Sequence, residues 1–287
     1  MHQPTSTDAA IGLLAELGDD AVIYSGGTEL LLVMKLGLAD FDHLVDIKRI
    51  PGLDAITVDN NVLRIGAAAT HRSIETNQDI GTGWPSLAMM TRQVANVRVR
   101  NVGTLGGNLA FGDPASDPAT FLMALEASIE VRGVDGLLRS VPVGEFYRGA
   151  YQTALADAEL IESIVVPPLA PTTVVVHERV RFHERPAVTV SVAGDAEAGQ
   201  VTDVKIAVGS VGAVPIRVGE AEVALRGTEV SSLASAATEA AAAVEAVVEP
   251  TDDMHGSVEY KRHLAGVLVG RAVEKCLGEA LKTSVPG

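Results

Sequence analysis

The sequence holds a single cysteine in 287 residues, and that scarcity removes a good deal. Cys276 alone cannot build an intrachain disulfide framework, a cysteine zinc cluster or an iron–sulfur cluster held by this chain. Its place inside a C-terminal helical pattern marks it as a buried, inert thiol rather than a nucleophile. The seven histidines are scattered, with no H-x-x-x-H pair, so no metal site is expected. Long apolar runs are missing as well: the longest, Leu30 to Leu36, is far too short to span a bilayer and carries Lys35. The start, Met1-His2-Gln3-Pro4, has no basic flank leading into an apolar core. No signal peptide is expected, and a cytoplasmic location is. Basic charge is in short supply, with 22 Lys and Arg against 37 Asp and Glu and a formal net charge of −15. Nucleic acid and anionic membrane both demand basic patches, so neither is expected as a partner. An anionic cofactor stays possible, but backbone N–H groups would have to hold it in place of clustered Lys and Arg.

What is present reads as an α+β chain whose length suits one large domain or two to three subdomains. Thr5-x-x-Asp8 has the spacing of a capping box, Ala10, Leu13, Leu14 and Leu17 follow at helical spacing, and Gly18 suits the stop. Ala21 to Tyr24 is a short strand, Leu30 to Leu36 a short buried helix, and Leu44 to Ile47 another strand closed by Pro51-Gly52. From Ile56 the texture changes to a hairpin, Ile56 to Val58 and Leu63 to Ile65, turning at Asp59-Asn60-Asn61. Helices are expected over Thr70 to Asn77, Leu87 to Val94 and Pro118 to Leu125, with strands at Ser128 to Val131, Val141 to Val143 and Leu160 to Val166. Pro167-Pro168 with Pro171 is the best linker. Beyond it, β-branched stretches at Thr173 to Val176, Val188 to Val192 and Val204 to Val211 precede helices at Leu233 to Val248 and Tyr260 to Leu281. The last helix sets Leu264, Leu268, Val273, Leu277 and Leu281 along one face.

Two glycine turns carry the most information: Ser25-Gly26-Gly27-Thr28-Glu29 and Thr104-Leu105-Gly106-Gly107-Asn108. Glycine lets backbone approach a ligand with no Cβ in the way, and successive N–H groups in such turns form an anion-holding concavity. Two of them could grip a pyrophosphate from both sides, with Thr28 and Thr104 adding hydroxyl donors. A Gly-Gly pair after a strand is also the ordinary makings of a tight turn. Neither turn matches G-x-G-x-x-G or G-x-x-x-x-G-K-[ST]. From the residues alone the reading stops at anion-binding turns in an α+β protein.

Order and context extend it. Tyr24-Ser25-Gly26-Gly27-Thr28-Glu29-Leu30-Leu31 with Met34-Lys35-Leu36 resembles the first flavin loop of the FAD-binding (medium) subunits of molybdenum hydroxylases. That family includes carbon monoxide dehydrogenase medium subunits and xanthine dehydrogenase FAD domains. Leu44 to Leu53 and Ile65-Gly66-Ala67-Ala68-Ala69-Thr70-His71 follow in the family's order. Val99-Arg100-Asn101-Val102-Gly103-Thr104-Leu105-Gly106-Gly107-Asn108-Leu109-Ala110 resembles the second flavin loop, and Gly112 to Asp117 completes it. Tyr260-Lys261-Arg262-His263-Leu264-Ala265 is similar to the entry of the family's last helix, so the resemblance spans nearly the whole chain.

The resemblance implies a two-lobed FAD-binding domain, a small α/β lobe over residues 1–55 and a larger mixed lobe over 56–170. A C-terminal antiparallel sheet with helices over 173–287 follows. It implies non-covalent FAD as cofactor, with Ser25, Gly26, Gly27, Thr28, Glu29 and Leu30 on one side of the pyrophosphate and Val102, Thr104, Gly106, Gly107 and Asn108 on the other. Ala69 and Thr70 would line the flavin pocket, Asp117 would meet the sugar–ribityl portion, the Ile161 backbone would meet the isoalloxazine, and Arg179 would fall near a basic flavin contact. No catalytic acid or base and no metal ligand is implied on this chain. The implied partners are a large molybdenum-cofactor subunit and a small [2Fe-2S] subunit, as a dimer of heterotrimers.

Several of these residues have other readings: Asp117 as a helix N-cap, Ile161 as strand core, Arg100 as a surface cation, Asn108 as a loop brace, His71 as structural. His177-Glu178-Arg179 stands where many relatives carry an aromatic and a lysine, and the chain starts close to its first helix without the short N-terminal strand of many relatives. The rival functions are a stand-alone FAD oxidase or dehydrogenase acting on a small molecule, and a cofactor-free scaffold.

Overall fold

The computed structural model describes residues 1–182 and 185–284, which fall into two compact units. The first comprises Met1–Asp113 and Ala127–Pro167, the second Pro114–Glu126 and the remainder from Pro168. Among the described residues no helix is long and apolar enough to cross a membrane, and no cluster of His, Cys, Asp and Glu could hold a metal ion.

The first unit opens with the helix Thr7–Leu17. Its N-cap is Ser6, whose hydroxyl accepts from the Ala9 N–H at 3.1 Å, so the cap sits one residue later than the Thr5 spacing predicts. Gly18, at φ +57°, ends the helix as expected. The strand Ala21–Tyr24 then pairs in parallel with His43–Asp46. His2 adds a bridge to Val45 on the far side, giving the His2 N–H to Leu44 O at 2.8 Å and accepting from Asp46 at 2.9 Å. In place of an N-terminal strand, which the sequence reading expects to be missing, there is this one bridge. Between the two strands runs the helix Leu30–Lys35, and here expectation fails: none of its residues is buried, and Leu31, Leu32 and Leu36 are exposed.

This unit also holds a five-stranded antiparallel sheet, in the order Ile56–Asp59, Val62–Gly66, Leu160–Val166, Ser128–Arg132, Leu138–Pro142. The first hairpin pairs Asp59 with Val62 across Asn60 and Asn61, both at positive φ (50° and 62°), the conformation that a two-residue hairpin loop requires and asparagine tolerates. The helices His71–Thr76, Gln78–Gly83 and Pro85–Arg92 follow. Gln78–Gly83 escapes a sequence reading because Gly81 and Gly83 weaken its pattern, yet the Asn77 side chain caps it at Ile80 N–H, 2.9 Å.

The second unit is a four-stranded antiparallel sheet, Val174–Phe182, Arg185–Glu197, Gln200–Gly209 and Ile216–Arg217 in that order. Pro186 to Gly194 are buried without interruption, so the strand has cover on both faces. The helix Val258–Thr283 packs on this strand and on the helix Leu233–Val247, and the helix Asp117–Ala124, buried along its whole length, also packs on it. That last contact explains why Pro114–Glu126, inside the 56–170 stretch of the sequence, belongs to the second unit. Leu268, Val273, Leu277 and Leu281 are core as the helical spacing predicts, with Leu264 packed at the edge. Cys276 is fully buried and its thiol gives a hydrogen bond to Val174 O at 3.1 Å; burial pushes its pKa well above the usual thiol range, so it is inert. The helix Gly219–Leu225 is an addition that the sequence reading missed, starting without a side-chain cap.

Candidate functional site

The two glycine turns are one structure. The strand Ala21–Tyr24 delivers Ser25 into the first turn, and the Ser25 hydroxyl meets the Thr104 hydroxyl of the second at 3.0 Å, both buried. Gly26 makes that meeting possible: a Cβ there would lie 2.5 Å from Val102 O, 2.7 Å from Gly103 Cα and 2.9 Å from Thr104 N. Gly27 has φ +70°, the left-handed region that glycine enters without penalty. Lys48 supports the turn from outside, giving a long hydrogen bond to Ser25 O at 3.4 Å with its ammonium 3.7 Å from the Tyr24 ring centroid.

The second turn is braced by the segment that ends the hairpin. Gly106 N–H bonds Ala67 O, Leu105 N–H bonds Ala69 O, each at 3.0 Å, and His71 N–H bonds Gly103 O at 2.9 Å. Gly106 allows this close approach, since its Cβ would fall 2.6 Å from the Ala67 methyl. Thr104 is the N-cap of the helix Leu105–Phe111, its hydroxyl accepting from Gly107 N–H at 3.2 Å. Gly107 itself has helical backbone rather than positive φ, and a Cβ there would meet only the Thr104 hydroxyl, at 2.8 Å. The four glycines thus serve four ends: loop against loop, a left-handed turn, helix against loop, and an open surface.

That surface faces a cavity of about 390 Å³. Its walls are apolar: Leu14, Val22, Ile23, Leu30, Val94, Val99, Phe111, Leu155, Leu160 and Ile161. Its polar edge is Ser25 to Glu29, Thr104, Gly107, Asn108, Glu159 and His71. A second cavity of about 560 Å³ lies across the same loops and is lined by Lys48, Thr70, Ser73, Asn101 and Val102. An apolar chamber edged by glycine backbone fits a ligand with a flat ring system and an anionic link, and FAD has both. Of the titratable side chains on its edge, Glu159 is paired with Arg139 and His71 is kept neutral by burial.

Of the sixteen residues expected to hold the cofactor, thirteen line one or both cavities. Ala69 does not: it is buried and acts through its carbonyl, as a brace for the second turn. Thr70 lines the second cavity and caps the helix His71–Thr76 by accepting from Ser73 N–H at 3.0 Å. Asp117 and Arg179 lie in the second unit and are bound to each other in a buried ion pair. His177, two residues from Arg179 and so on the same strand face, sits with Nε2 3.4 Å from Asp117 and Nδ1 2.9 Å from the Ser191 hydroxyl. Asp117 is the first residue of its helix and Ser116 the N-cap, so the capping alternative falls. Arg100 is no surface cation. It is buried, bonding Glu75 at 3.0 Å and Val94 O at 2.9 Å, and with Arg72 it holds the Glu75 carboxyl below the usual range despite burial.

One residue of this site was quoted in the motif but not assigned to the ligand. His71 is buried, lines the first cavity, and its Nδ1 has no hydrogen-bond partner. Burial, with the Arg100 charge nearby, lowers its pKa to about 4, so the ring is neutral at physiological pH.

Comparison with known proteins gives this architecture its family. Residues 1–169 match the family described as the FAD binding domain in molybdopterin dehydrogenase, and residues 181–276 match the CO dehydrogenase flavoprotein C-terminal domain. The chain belongs to this family. Its sequence is 33% identical to the carbon monoxide dehydrogenase medium chain of Hydrogenophaga pseudoflava, over 95% of this chain and 94% of that one. It is 32% identical to the nicotine 6-hydroxylase medium subunit of Paenarthrobacter nicotinovorans, over 94% of each. The fold matches a solved carbon monoxide dehydrogenase structure from Hydrogenophaga pseudoflava with a TM-score of 0.93 and 34% identity, covering 97% of this chain and 96% of the other. Quinoline 2-oxidoreductase from Pseudomonas putida 86 matches at 0.90, with 28% identity. The chain is an FAD-binding subunit of the molybdopterin-dependent oxidoreductase type, and FAD is its cofactor.

Proposed function

We propose that this chain relays electrons within a multi-subunit molybdenum hydroxylase, from the iron–sulfur clusters of a small [2Fe-2S] subunit to an external acceptor. A large subunit carrying the molybdenum cofactor oxidises the organic substrate, and the three chains assemble as a dimer of heterotrimers in the cytoplasm. The observation that carries the reading is the pair of glycine turns locked together beside an apolar chamber. FAD, when bound, supplies the step between one-electron and two-electron transfer. The chain's own residues bind and orient it: Ser25 to Leu30 on one side of the pyrophosphate, and Val102, Thr104, Gly106, Gly107 and Asn108 on the other. Thr70 and Ile161 make further contacts, and Ala69 holds the second turn in place. The first unit is read as a small lobe, residues 1–55, and a larger mixed lobe within 56–170, with the excursion 114–126 packed into the C-terminal domain.

The experiment is to express the full chain alone and together with its two partner subunits. The chain alone should carry a flavin spectrum, release its yellow cofactor on acid precipitation, and show no substrate dehydrogenase activity with an artificial acceptor. The three chains together should be active. Turnover by the flavin-loaded chain alone, free of molybdenum and iron by elemental analysis, would overturn the relay and favour a stand-alone oxidase. Absence of flavin would leave a scaffold.

A further inference from the structure

His71 is a buried imidazole on the lining of the first cavity. It is 3% exposed and follows the N-cap Thr70 at the start of the helix His71–Thr76. Its backbone N–H is committed to Gly103 O. The point where a Cβ on Gly103 would sit lies 3.4 Å from both His71 Cδ2 and the Thr28 hydroxyl, so the imidazole lies beside the place where the two glycine turns meet. Its Nδ1 is closed off from solvent and has no hydrogen-bond partner, and leaving a donor there would cost about 1–3 kcal/mol, which decides where the ring's proton sits.

The chemistry of the ring narrows the partner. A neutral imidazole carries one proton, on Nδ1 or Nε2. With the proton on Nδ1, a buried N–H would be orphaned, which is rarer and costlier than an unused lone pair. The proton therefore belongs on Nε2, and the ring lining the cavity is a hydrogen-bond donor. The charged groups around it agree. Arg100, from the neighbouring helix Val97–Arg100, opposes a second proton, and Glu75 on the same helix as His71 is taken up by Arg72 and Arg100. Glu29 and Glu159 lie on the cavity edge, and Glu159 is paired with Arg139. Among the described residues no lysine or arginine lines this cavity, so a neutral donor is what the site offers an anion besides backbone and hydroxyl groups.

We propose that His71 is an FAD-binding residue, donating a hydrogen bond from its neutral imidazole to an oxygen of the cofactor where it passes between the two glycine turns. The proposal rests on the reading of these turns as the cofactor cradle and adds a side-chain ligand to it. It assigns the ring a binding role, in which folding has no share.

The test is FAD titration of the full-length, flavin-stripped chain, read by flavin fluorescence and by melting temperature with and without FAD. His71→Leu, close to the ring in volume, should weaken FAD binding at least about tenfold while the flavin-free protein melts at or above the wild-type temperature. His71→Gln, whose amide N–H₂ reaches towards the Nε2 position, should stay within about threefold of wild type. In wild type labelled with ¹⁵N-histidine, the resonance missing from His71→Gln should move when FAD is added, a readout that needs no variant to fold well. Unchanged affinity in His71→Leu overturns the proposal. So does a flavin-free His71→Leu that is destabilised while His71→Gln binds equally poorly, which is the signature of a structural histidine. If wild type itself bound no FAD, the cradle reading would fall first; if wild type binds and His71→Leu binds equally, only the histidine assignment falls.

Discussion

Replacing Gly26 by alanine tests whether the two turns are held together by backbone approach. The added Cβ would lie 2.5 Å from Val102 O, 2.7 Å from Gly103 Cα and 2.9 Å from Thr104 N. All three are backbone atoms, so no rotamer change relieves the overlap; restoring even a 3.0 Å contact separates the turns by about half an ångström. Overpacking of this kind costs about 1–3 kcal/mol. The separation also stretches the Ser25–Thr104 hydroxyl bond, now 3.0 Å, whose loss adds about 1 kcal/mol. The sum is about 2–4 kcal/mol, a large part of an ordinary domain stability of about 5–15 kcal/mol. The assay is urea unfolding followed by the fluorescence of Trp84, the chain's one tryptophan, which is buried in the same unit. Gly81→Ala is the control: it lies in the helix Gln78–Gly83, its Cβ would meet open space, and alanine should stabilise there by about 0.5–1 kcal/mol. FAD affinity should fall at least about tenfold in Gly26→Ala, since every 1.4 kcal/mol lost from the cradle is a factor of about ten. A wild-type urea midpoint in Gly26→Ala would refute the reasoning, whatever the flavin does.

Three further outcomes follow from the same geometry. His71 takes up its proton near pH 6.5 when unfolded and about 4 when folded, so flavin-free stability should fall by about 3 kcal/mol as pH drops through that window, and pH-dependent denaturation of His71→Leu should lose this slope. Gly107→Val should abolish FAD binding with little loss of fold, because its Cβ would occupy the cavity edge and press only on the Thr104 hydroxyl; unchanged flavin occupancy would mean the second turn is misassigned. Asp117→Ala removes the carboxylate that Arg179 and His177 share and should destabilise the second unit by about 3 kcal/mol, an effect that calorimetry of the full chain would resolve.

Much of the fold was legible because its signals are local. Gly18 at a left-handed helix stop, Asn60-Asn61 at a two-residue hairpin turn and the leucine–valine stripe of Val258–Thr283 each declare themselves within a few residues. The failures are where tertiary packing overrides the local pattern. Leu30 to Leu36 reads as buried because it is apolar, yet nothing in the first unit covers Leu31, Leu32 and Leu36. Pro118 to Leu125 was found as a helix, but that it packs on the sheet of the second unit is not encoded in its own sequence.

The site divides along the same line. Both turns stand out because they hold the chain's two Gly-Gly pairs, each beside hydroxyl residues, but the separate reasons for Gly26, Gly27, Gly106 and Gly107 appear only when their neighbours in space are known. The apolar walls come from segments as distant as Leu14, Val94 and Leu160, each an unremarkable aliphatic in its own stretch. His71 was visible as a motif letter and silent as chemistry, because an unpartnered nitrogen is a property of the fold and not of the residue. The acidity of the chain is the link between these levels. Among the described residues no lysine or arginine lines the first cavity and Lys48 alone lines the second, so an anionic cofactor meets mainly backbone and hydroxyls there, and glycines open that backbone to it.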